Sequence, residues 1–347
     1  MKAVMSSFTT PLRVGLIGAG GISHAHVPGW LEIGADVSVY SLAGAEGLAA
    51  QYGLTAVDSL DQLWDRVDVV DIVTPTATHH ELALEAIRRG KHVICEKPLA
   101  LSAAEAVEIE RAAAIAGVRL FPAHVVRYFP QFAGARAAIA SGRIGRPGVF
   151  RFRRQSAAPA APWFFDEAIS GGIVMDQMIH DLDQAEWLAG PVRRVFARLR
   201  RSDAGPSPVV AAQVVLDHES GAISHVHGAW GNSALPFSYS FDLAGDRGVL
   251  RYDSARDDGV RLAIGIQSSG GYLPVDDGSP SPYTAELIDF VHAIRDGGEA
   301  RVSPADGIRA VRIAEAAMRS IESGLPVDMD AGGQPSDALP TLIGAQR

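Results

Sequence analysis

The sequence has only one cysteine, Cys95, among its 347 residues. A lone cysteine excludes a disulfide bond within the chain and is typical of a protein that stays in the reducing cytoplasm. Cys95 ends the apolar run His92–Cys95, a setting in which a buried structural thiol is more common than a nucleophile.

Long apolar runs and positive net charge are also lacking. No uninterrupted run approaches the roughly 20 apolar residues that a helix needs to cross a bilayer. Residues Met1–Pro11 contain one lysine and several Ser and Thr but no apolar signal core, so we expect no export and a cytoplasmic location. The formal net charge is -9, and an acidic surface gains nothing from nucleic acid or an anionic membrane, so neither is expected as a partner.

What remains is the composition of an ordinary globular protein, with 47% hydrophobic and 20% charged residues. A chain of this length can bury a full core and is expected to form two domains. The first third alternates short apolar runs with helical segments, which is the pattern of a parallel sheet with helices on both faces. The predicted strands are Arg13–Ile17, Val37–Tyr40, Val69–Val73, His92–Cys95 and Arg119–Phe121. Three predicted helix starts carry capping boxes, at Ser59–Gln62, Thr78–Glu81 and Ser102–Glu105.

After Val125 the pattern changes to segments of alternating polar and apolar residues, which predict a largely antiparallel sheet. These segments are Phe150–Gln155, Val192–Arg200, Val209–Leu216, Ile223–Trp230, Ser238–Ala244 and Gly248–Tyr252. Helices are predicted at Phe132–Ser141, Gly172–Leu188 and Thr284–Arg295, and Ser303 followed by Pro304 marks the start of another. We therefore predict an α/β protein in which residues 1–125 form the first domain and residues 126–347 the second.

A glycine-rich turn, within Val14–Ser23, directly follows the first predicted strand. Gly18 permits the tight turn, and Gly20 lets the backbone approach a pyrophosphate without an intervening side chain. The next helix points its N-terminal amides toward such an anion, and Ser23, in place of the usual third glycine, is small enough for close packing. The flanking strand and helix favour a dinucleotide site over a plain strand–turn–helix. The predicted cofactor contacts of this turn are Gly18, Gly20, Gly21 and Ile22.

The end of the second strand does not decide between NAD and NADP. An NAD site is expected to place a carboxylate there to bind the adenosine ribose, but the strand ends in Ser41. Serine would not repel a 2′-phosphate, yet no Arg or Lys follows in Leu42–Glu46 to pair with one. Ser41 is therefore predicted to contact the cofactor, and both NAD and NADP stay open.

Several further motifs give a family resemblance. They are Thr74–His79, the Glu-Lys-Pro run within Gly90–Leu99, Arg127–Pro130, Gly142–Gly145 and the segment Gly171–Asp183. Together with the glycine turn, these segments resemble the glucose–fructose oxidoreductase, inositol dehydrogenase and rhizopine-catabolism family (Gfo/Idh/MocA) over nearly the whole chain. The Glu-Lys-Pro run at a strand end is the most specific of them.

The resemblance implies an N-terminal Rossmann domain and a C-terminal α/β domain with an open, mainly antiparallel sheet. It implies NAD or NADP as cofactor, a sugar, inositol or related polyol as substrate, and a homodimer or homotetramer formed through the C-terminal sheet. It also identifies Lys97 as the catalytic lysine, with Asp176 and His180 as its partners. The other cofactor contacts that it implies are Thr74, Pro75, Thr76, His79, Glu96 and Lys97 itself.

Elementary chemistry supports these roles. A hydroxyl group whose carbon loses hydride must also lose its proton, so a base with a pKa near neutrality is needed, and histidine titrates in that range. Asp176 and His180 are four residues apart on a predicted helix and therefore share a face. Lys97 can hydrogen-bond the same oxygen and stabilise negative charge on it. Proline makes a cis Lys97–Pro98 bond inexpensive, and a cis bond would aim the lysine into a cleft.

Other residues have two interpretations each. Glu96 is more naturally a buried partner that fixes Lys97 than a direct catalyst, and His79 is either a cofactor contact or a helix cap. Thr76 departs from the asparagine usual in the family. Arg127 either contacts substrate or forms a structural ion pair, and Trp163 either lines a sugar-binding cleft or packs in the core. No metal site is predicted, because His225 and His227 share a strand face without further ligands.

Three functions fit the sequence. The first is a dehydrogenase or reductase of sugars, inositols or related polyols. The second is a redox-assisted hydrolase or lyase, in which tightly held NAD oxidises and re-reduces a sugar within one cycle. The third is a dinucleotide-binding sensor without chemistry, against which the presence of Lys97, Asp176 and His180 counts.

Overall fold

The computed structural model describes residues 11–202, 209–256, 259–264, 271–272, 280–330 and 332–335. These residues form two compact units. The first contains the described residues up to Phe129 together with 280–308, and the second contains the described residues from Pro130 to 272 together with those from Arg309 onward. Residues 126–347 were expected to form a single domain, so the return of residues 280–308 to the first unit is a difference.

The first unit contains a six-stranded parallel sheet with the strand order β3-β2-β1-β4-β5-β6. This is the Rossmann order, and it confirms the predicted doubly wound sheet. The strands are β1 (Arg13–Ile17), β2 (Asp36–Tyr40), β3 (Thr55–Ala56), β4 (Val69–Ile72), β5 (His92–Glu96) and β6 (Leu120–Ala123). The helices between them are α1 (Ser23–Ile33), α2 (Ala45–Tyr52), α3 (Leu60–Trp64), α4 (His79–Arg88) and α5 (Ala103–Ala116).

Apolar residues cover both faces of this sheet, as expected for buried parallel strands. One core packs Leu16 and Val39 against Trp30 of α1, and the other packs Ile17 and Ile72 against α3, α4 and α5. Cys95 belongs to the second core and is fully buried, so the predicted structural thiol is confirmed. Burial also raises the pKa of this thiol well above its usual range.

A helix from late in the sequence completes the first core. Helix α9 (Pro282–Arg295) contributes Leu287 and Phe290, and the Phe290 ring stacks on Phe121 with 4.8 Å between ring centroids. A Cβ atom at Gly29 would lie only 3.0 Å from Leu287 Cδ1, so a glycine at this position of α1 allows close packing with α9. This apolar contact is the reason that residues 280–308 belong to the first unit.

The second unit contains a nine-stranded sheet with the order β14-β13-β12-β11-β7-β10-β9-β8-β15. Among the described pairs only β7 and β10 run parallel, which confirms the mainly antiparallel sheet. The strands are β7 (Pro147–Ala157), β8 (Val192–Ser202), β9 (Val209–His218), β10 (Ile223–Gly231), β11 (Ser238–Gly245), β12 (Gly248–Asp253), β13 (Arg261–Ile264), β14 (Gly271–Tyr272) and β15 (Val327–Asp328). The helices are α6 (Pro130–Ala140), α7 (Glu167–Ser170) and α8 (Ile179–Ala189), and α10 (Pro304–Ser323) begins in the first unit.

The predicted helix caps are only partly correct. Ser102 and Glu105 form a full capping box at α5, and the Ser59 hydroxyl accepts the Gln62 N–H at α3. The capping box predicted at Thr78 is wrong, because the Thr78 hydroxyl donates to the Thr74 hydroxyl and the Pro75 carbonyl instead. Among the described residues, none of the helices is both long and apolar enough to span a lipid bilayer.

Candidate active site

The glycine turn follows β1 as predicted, and its backbone requires glycine at one position. Gly18 has φ of 116°, and its N–H donates to the Tyr40 carbonyl at 2.9 Å. A Cβ atom there would lie 2.7 Å from the Val73 carbonyl oxygen, so a side chain is excluded by both conformation and space. A Cβ atom added at Gly20 or Gly21, by contrast, would meet no described atom within 4 Å, so the turn leaves room for a ligand beside its backbone.

Helix α1 starts directly after this turn. Its N-cap residue, Ile22, makes no side-chain cap hydrogen bond, and the positive end of the helix lies at the turn. Ser23 is fully buried and donates its hydroxyl to the Gly20 carbonyl at 2.5 Å. The small serine thus ties the turn to the helix. The N–H groups of Ser23 and His24 donate to the Gly20 and Gly21 carbonyls, so it is the positive end of the helix dipole beside the turn that fits the pyrophosphate of a dinucleotide.

The end of β2 is polar but uncharged. Ser41 is half-buried there, and the next residue, Leu42, is 96% exposed. The sequence from Ser41 to Tyr52 contains no Lys or Arg, and its only acid is Glu46 in the first turn of α2. The structure therefore places Ser41 at the strand end, where the Rossmann fold binds the adenosine ribose.

The turn after β4 contains Thr74, Pro75 and Thr76, and His79 fastens it. The His79 ring is buried, with Nε2 2.9 Å from the Thr74 carbonyl oxygen and Nδ1 2.8 Å from the Pro98 carbonyl oxygen. Burial lowers the pKa of His79, and the bonds to the two carbonyls act against this shift. Both ring nitrogens face backbone carbonyls, so His79 links this turn to the Lys97–Pro98 segment. The sequence predicted either a cofactor contact or a cap for His79, and this link is a third role that was not predicted.

The Glu-Lys-Pro run lies at the end of β5, and the Lys97–Pro98 peptide bond is cis, as the proline allowed. Glu96 is buried, and its Oε2 accepts the Lys97 N–H at 2.9 Å. Its Oε1 lies 3.0 Å from His26 Nε2. Burial raises the pKa of Glu96, but the hydrogen bond and charge of His26 outweigh burial, and the pKa is lowered. Glu96 is thus a carboxylate that contacts the backbone of Lys97.

Asp176 and His180 lie in the second unit on a helix with an irregular start. Residues Val174–Met178 form a π-helical turn, and α8 continues from Ile179. Both side chains are half-buried. π-Helical turns are rare and are frequent at functional sites, and this one was not predicted.

Two buried residues that were not predicted from the sequence anchor this helix to the sheet. Gln177 donates to the Arg154 carbonyl at 3.1 Å and accepts the Trp230 indole N–H at 2.9 Å. Asp181 pairs with Arg154 through two hydrogen bonds of 2.9 Å each. Each anchor follows a candidate catalytic residue by one position. The face that holds Gln177 and Asp181 against the sheet therefore fixes the neighbouring face, which carries Asp176 and His180.

Trp163 lies in an aromatic cluster of the second unit. Its ring stacks on Phe164 with 3.7 Å between centroids, and Phe165 packs edge-on against Trp230. A cavity of about 340 Å³ lies beside this cluster. It is lined by Pro162, Phe164, Phe165, Gly172, Ile173, Arg201, Val210 and Trp230. Trp163 packs on Phe164, which lines the cavity, and its place in a sugar-binding cleft stays a prediction.

Arg127 is buried in the first unit and forms an ion pair with Asp306 at 3.2 Å. The guanidinium of Arg301 donates to the Arg127 carbonyl at 3.0 Å and lies over the Tyr128 ring. These contacts favour the structural interpretation of Arg127. Its contact with substrate stays a prediction.

Within the first unit, the fold gathers the predicted cofactor contacts at the carboxyl ends of β1, β2, β4 and β5. This edge, where the strand order reverses between β1 and β4, is where open α/β sheets bind ligands. The residues that lie there are Gly18, Gly20, Gly21, Ile22, Ser41, Thr74, Pro75, Thr76, Glu96 and Lys97. Asp176 and His180 belong to the second unit.

Comparison with known families matches both units. Residues 12–124 match an oxidoreductase family with an NAD-binding Rossmann fold, and residues 132–251 match the GFO/IDH/MocA C-terminal domain. An inositol 2-dehydrogenase of Rhizobium meliloti is 30% identical over 330 residues, which cover 89% of this chain and 97% of that protein. A myo-inositol 2-dehydrogenase of Thermotoga maritima is 29% identical over 92% of this chain and 99% of its own length.

Several solved structures are also similar to this chain. A levoglucosan dehydrogenase in complex with NADH and levoglucosan is similar with a TM-score of 0.82 and 25% identity, covering 92% of this chain and 99% of its own. GenD2 from gentamicin A biosynthesis, in complex with NAD, is similar with a TM-score of 0.81 and 26% identity, covering 94% and 98%. Both similarities extend over nearly the full length of the chain.

Proposed function

Because the chain belongs to the GFO/IDH/MocA family of NAD-binding oxidoreductases, we propose that it is a dehydrogenase or reductase of a sugar, inositol or related polyol. The observation that carries the proposal is the presence of Lys97 on the same sheet edge as the glycine turn. The names of the relatives support the substrate class, since they include inositol dehydrogenases and a levoglucosan dehydrogenase.

In the proposed reaction, Gly20, Gly21 and the start of α1 hold the pyrophosphate, and the turn at Thr74 lies on the nicotinamide side. When bound, the nicotinamide supplies the acceptor or donor of hydride. Lys97 donates a hydrogen bond to the reacting oxygen and stabilises negative charge on it. His180 takes the hydroxyl proton during oxidation and returns it during reduction, and Asp176 orients the reacting group.

The test is to identify the cofactor of the purified protein and then to screen candidate substrates for turnover. Any copurified nucleotide is extracted and identified, and the protein is then incubated with NAD or NADP and myo-inositol, scyllo-inositol, levoglucosan and common hexoses. We expect reduced nicotinamide to form, and its absorbance measures the reaction. Release of an aglycone from a glycoside without net cofactor reduction would instead support the redox-assisted hydrolase. Tight ligand binding without any turnover would support the sensor.

The uncharged end of β2 gives a prediction about the cofactor. We propose NAD, because no cation follows Ser41 to pair with a 2′-phosphate. In Ser41→Asp, a carboxylate can accept hydrogen bonds from the ribose hydroxyls and repels the 2′-phosphate. Since a charge-assisted hydrogen bond contributes about 1.5–3 kcal/mol, the NAD-to-NADP ratio of kcat/KM should rise roughly 10- to 100-fold. The neutral control Ser41→Asn should leave the ratio nearly unchanged, and a falling ratio in Ser41→Asp would contradict the proposal.

We also propose that the protein is a homodimer or homotetramer joined through the open face of its second sheet. Along β9 the inward residues Val210, Ala212, Val214 and Leu216 are buried, whereas the outward residues alternate with them and are partly exposed. Outward-facing Val215 lies between Phe196 of β8 and His225 of β10, so Val215 and Phe196 form a small apolar centre on the open face. An apolar centre with a polar rim is typical of a subunit interface.

Substitution of this centre tests the proposed assembly. Val215→Glu would bury an uncompensated charge in the interface, which costs several kcal/mol, about 3 or more, and should separate the subunits. Light scattering after size exclusion should then give the mass of one chain, 36.6 kDa. The matched control Ile115→Glu alters an apolar residue of α5 that is 78% exposed and should leave the assembly intact. An unchanged mass in Val215→Glu would exclude this face.

The cellular location proposed for the protein is the cytoplasm. The support is the single cysteine, which is buried and cannot form a disulfide within the chain.

A further inference from the structure

Four ionisable side chains from four different elements are buried in the first unit. They are His26 of α1, Asp71 of β4, Glu96 of β5 and Glu286 of α9, and none is more than 5% exposed. Ionisable groups are rarely buried to this degree without pairing, because removing a charge from water costs several kcal/mol, roughly 3 or more. Their arrangement therefore needs a specific explanation.

His26 lies between two of the carboxylates. Its Nδ1 is 2.9 Å from Asp71 Oδ2, and its Nε2 is 3.0 Å from Glu96 Oε1. The Trp30 indole N–H donates to the same Asp71 oxygen at 2.7 Å and fixes that carboxylate in place. A ring with carboxylate oxygens at both nitrogens donates from both, which requires the imidazolium form.

The remaining neighbours agree with this assignment. Burial lowers the pKa of His26, but Asp71 and Glu96 outweigh burial and raise it well above its usual range. Glu286 also faces this cluster, and burial together with the charge of Glu96 raises its pKa, which favours the neutral acid. The Tyr283 ring of α9 packs 5.8 Å from the His26 ring. The bonds at both ring nitrogens and the raised pKa thus both favour a protonated His26.

The cluster ends at the candidate catalytic lysine. Glu96 uses one oxygen for His26 and the other for the Lys97 N–H at 2.9 Å. The imidazolium therefore fixes the carboxylate, and the carboxylate fixes the peptide group from which the Lys97 side chain extends. A fixed peptide group sets the point from which the side chain reaches a reacting oxygen, and a small displacement of a catalytic group is costly.

We propose that His26 is a positioning residue for hydride transfer, acting through Glu96 on the backbone of Lys97. The inference rests on the proposed function of Lys97 and deepens it. His26 itself touches neither substrate nor cofactor in this role. Its effect is on the rate of the chemical step and not on the affinity for the nucleotide.

Two matched substitutions separate the two contacts of His26. Asparagine places an amide nitrogen near the position of Nδ1 and keeps the bond to Asp71 alone, whereas glutamine places one near Nε2 and keeps the bond to Glu96. We expect His26→Asn to lower kcat about 100-fold, the loss expected from a displaced catalytic group, and His26→Gln to lower kcat by less than about tenfold. The assay uses the polyol that the substrate screen identifies, with NAD as cofactor.

Two readouts distinguish positioning from a loss of stability. Affinity for NADH, measured by calorimetry, should be unchanged in both variants. The primary deuterium isotope effect on kcat, measured with the perdeuterated polyol, should increase in His26→Asn because hydride transfer becomes rate-limiting. The control is His218 of β9, which is also a buried histidine with two contacts, to the Gly190 carbonyl at 2.7 Å and Ser224 at 2.8 Å. His218→Asn should leave kcat and the isotope effect unchanged.

The outcomes are decisive. Equal losses in His26→Asn and His26→Gln with an unchanged isotope effect would overturn the inference, as would wild-type kcat in both. If His26→Asn does not fold, Glu96→Gln and Glu96→Ala replace it, because glutamine keeps an acceptor for the Lys97 N–H and alanine does not. Wild-type kcat in Glu96→Ala would then overturn the inference. Wild-type hydride transfer in Lys97→Met would contradict the proposed function itself, whereas a slow Lys97→Met with a fast His26→Asn would contradict only the role of His26.

Discussion

Lys97→Met is expected to lower the rate of hydride transfer by about a thousandfold. Removal of a general acid or base costs about 10²–10⁴ in rate, and removal of a donor to a developing oxyanion costs about 10²–10³. Methionine resembles the apolar stem of lysine without its ammonium group, so it cannot donate a hydrogen bond or carry charge. The loss should therefore appear in kcat as well as in kcat/KM.

The measurement is stopped-flow reduction of enzyme-bound NAD in a single turnover, which isolates the chemical step. Lys97 is one of only three lysines in the chain, and Lys91 offers a matched control six residues away. The Lys91 ammonium donates to the Val67 carbonyl at 2.9 Å, so Lys91→Met removes one such bond and should leave the rate unchanged. His180→Ala belongs in the same series, and a wild-type rate in His180→Ala would contradict the proton transfer proposed for His180.

The first sheet could be predicted almost strand by strand because its signals are local. Strands β1, β4, β5 and β6 are buried almost throughout and therefore appear as apolar runs, and β1 begins and ends at the predicted residues. Strand β3 (Thr55–Ala56) is short and exposed, and it was not predicted. The glycine turn is equally local, since Gly18 needs its positive φ wherever the chain turns so tightly after the strand. Such features depend on neighbours in sequence and not on the rest of the fold.

Errors arose where a distant or competing contact decides the structure. Thr78 has the sequence of a capping box, but its hydroxyl bonds the preceding turn at Thr74. Helix α9 was predicted, yet its place in the first core depends on packing against Gly29, which is more than 250 residues away. No local pattern contains that information.

In the candidate site, too, local features were predicted and contacts between distant residues were not. The Glu-Lys-Pro run identified Lys97 and indicated that Glu96 fixes it, but the bond from His26 to Glu96 joins residues 70 positions apart. Likewise, Gln177 and Asp181 stand beside Asp176 and His180 in the sequence, and polar residues on a buried helix face were a usable signal. Their common partner, Arg154, could be found only from the pairing of the helix with β7.

The second large expected effect is a loss of stability when the buried ion pair between Arg154 and Asp181 is broken. In Asp181→Ala, Arg154 stays 5% exposed but loses its carboxylate partner, so its charge is buried without compensation. Breaking a buried pair in this way costs about 3–5 kcal/mol in the free energy of unfolding. Urea denaturation followed by circular dichroism should show the loss. Arg146→Ala, which removes a side chain that is 92% exposed, should leave the midpoint unchanged.

A double variant separates the stability of the pair from its role in the site. In Arg154→Met with Asp181→Leu no charge is left buried, and apolar replacements of buried pairs are often neutral or stabilising. Stability should therefore return, and the bond from Gln177 to the backbone carbonyl of residue 154 is kept, but the two side-chain bonds between Arg154 and Asp181 are lost. If these bonds position Asp176 and His180, single-turnover hydride transfer in the double variant should be slow by about tenfold or more, because a small displacement of catalytic groups is costly. A stable double variant with the wild-type rate would show that the ion pair serves folding alone.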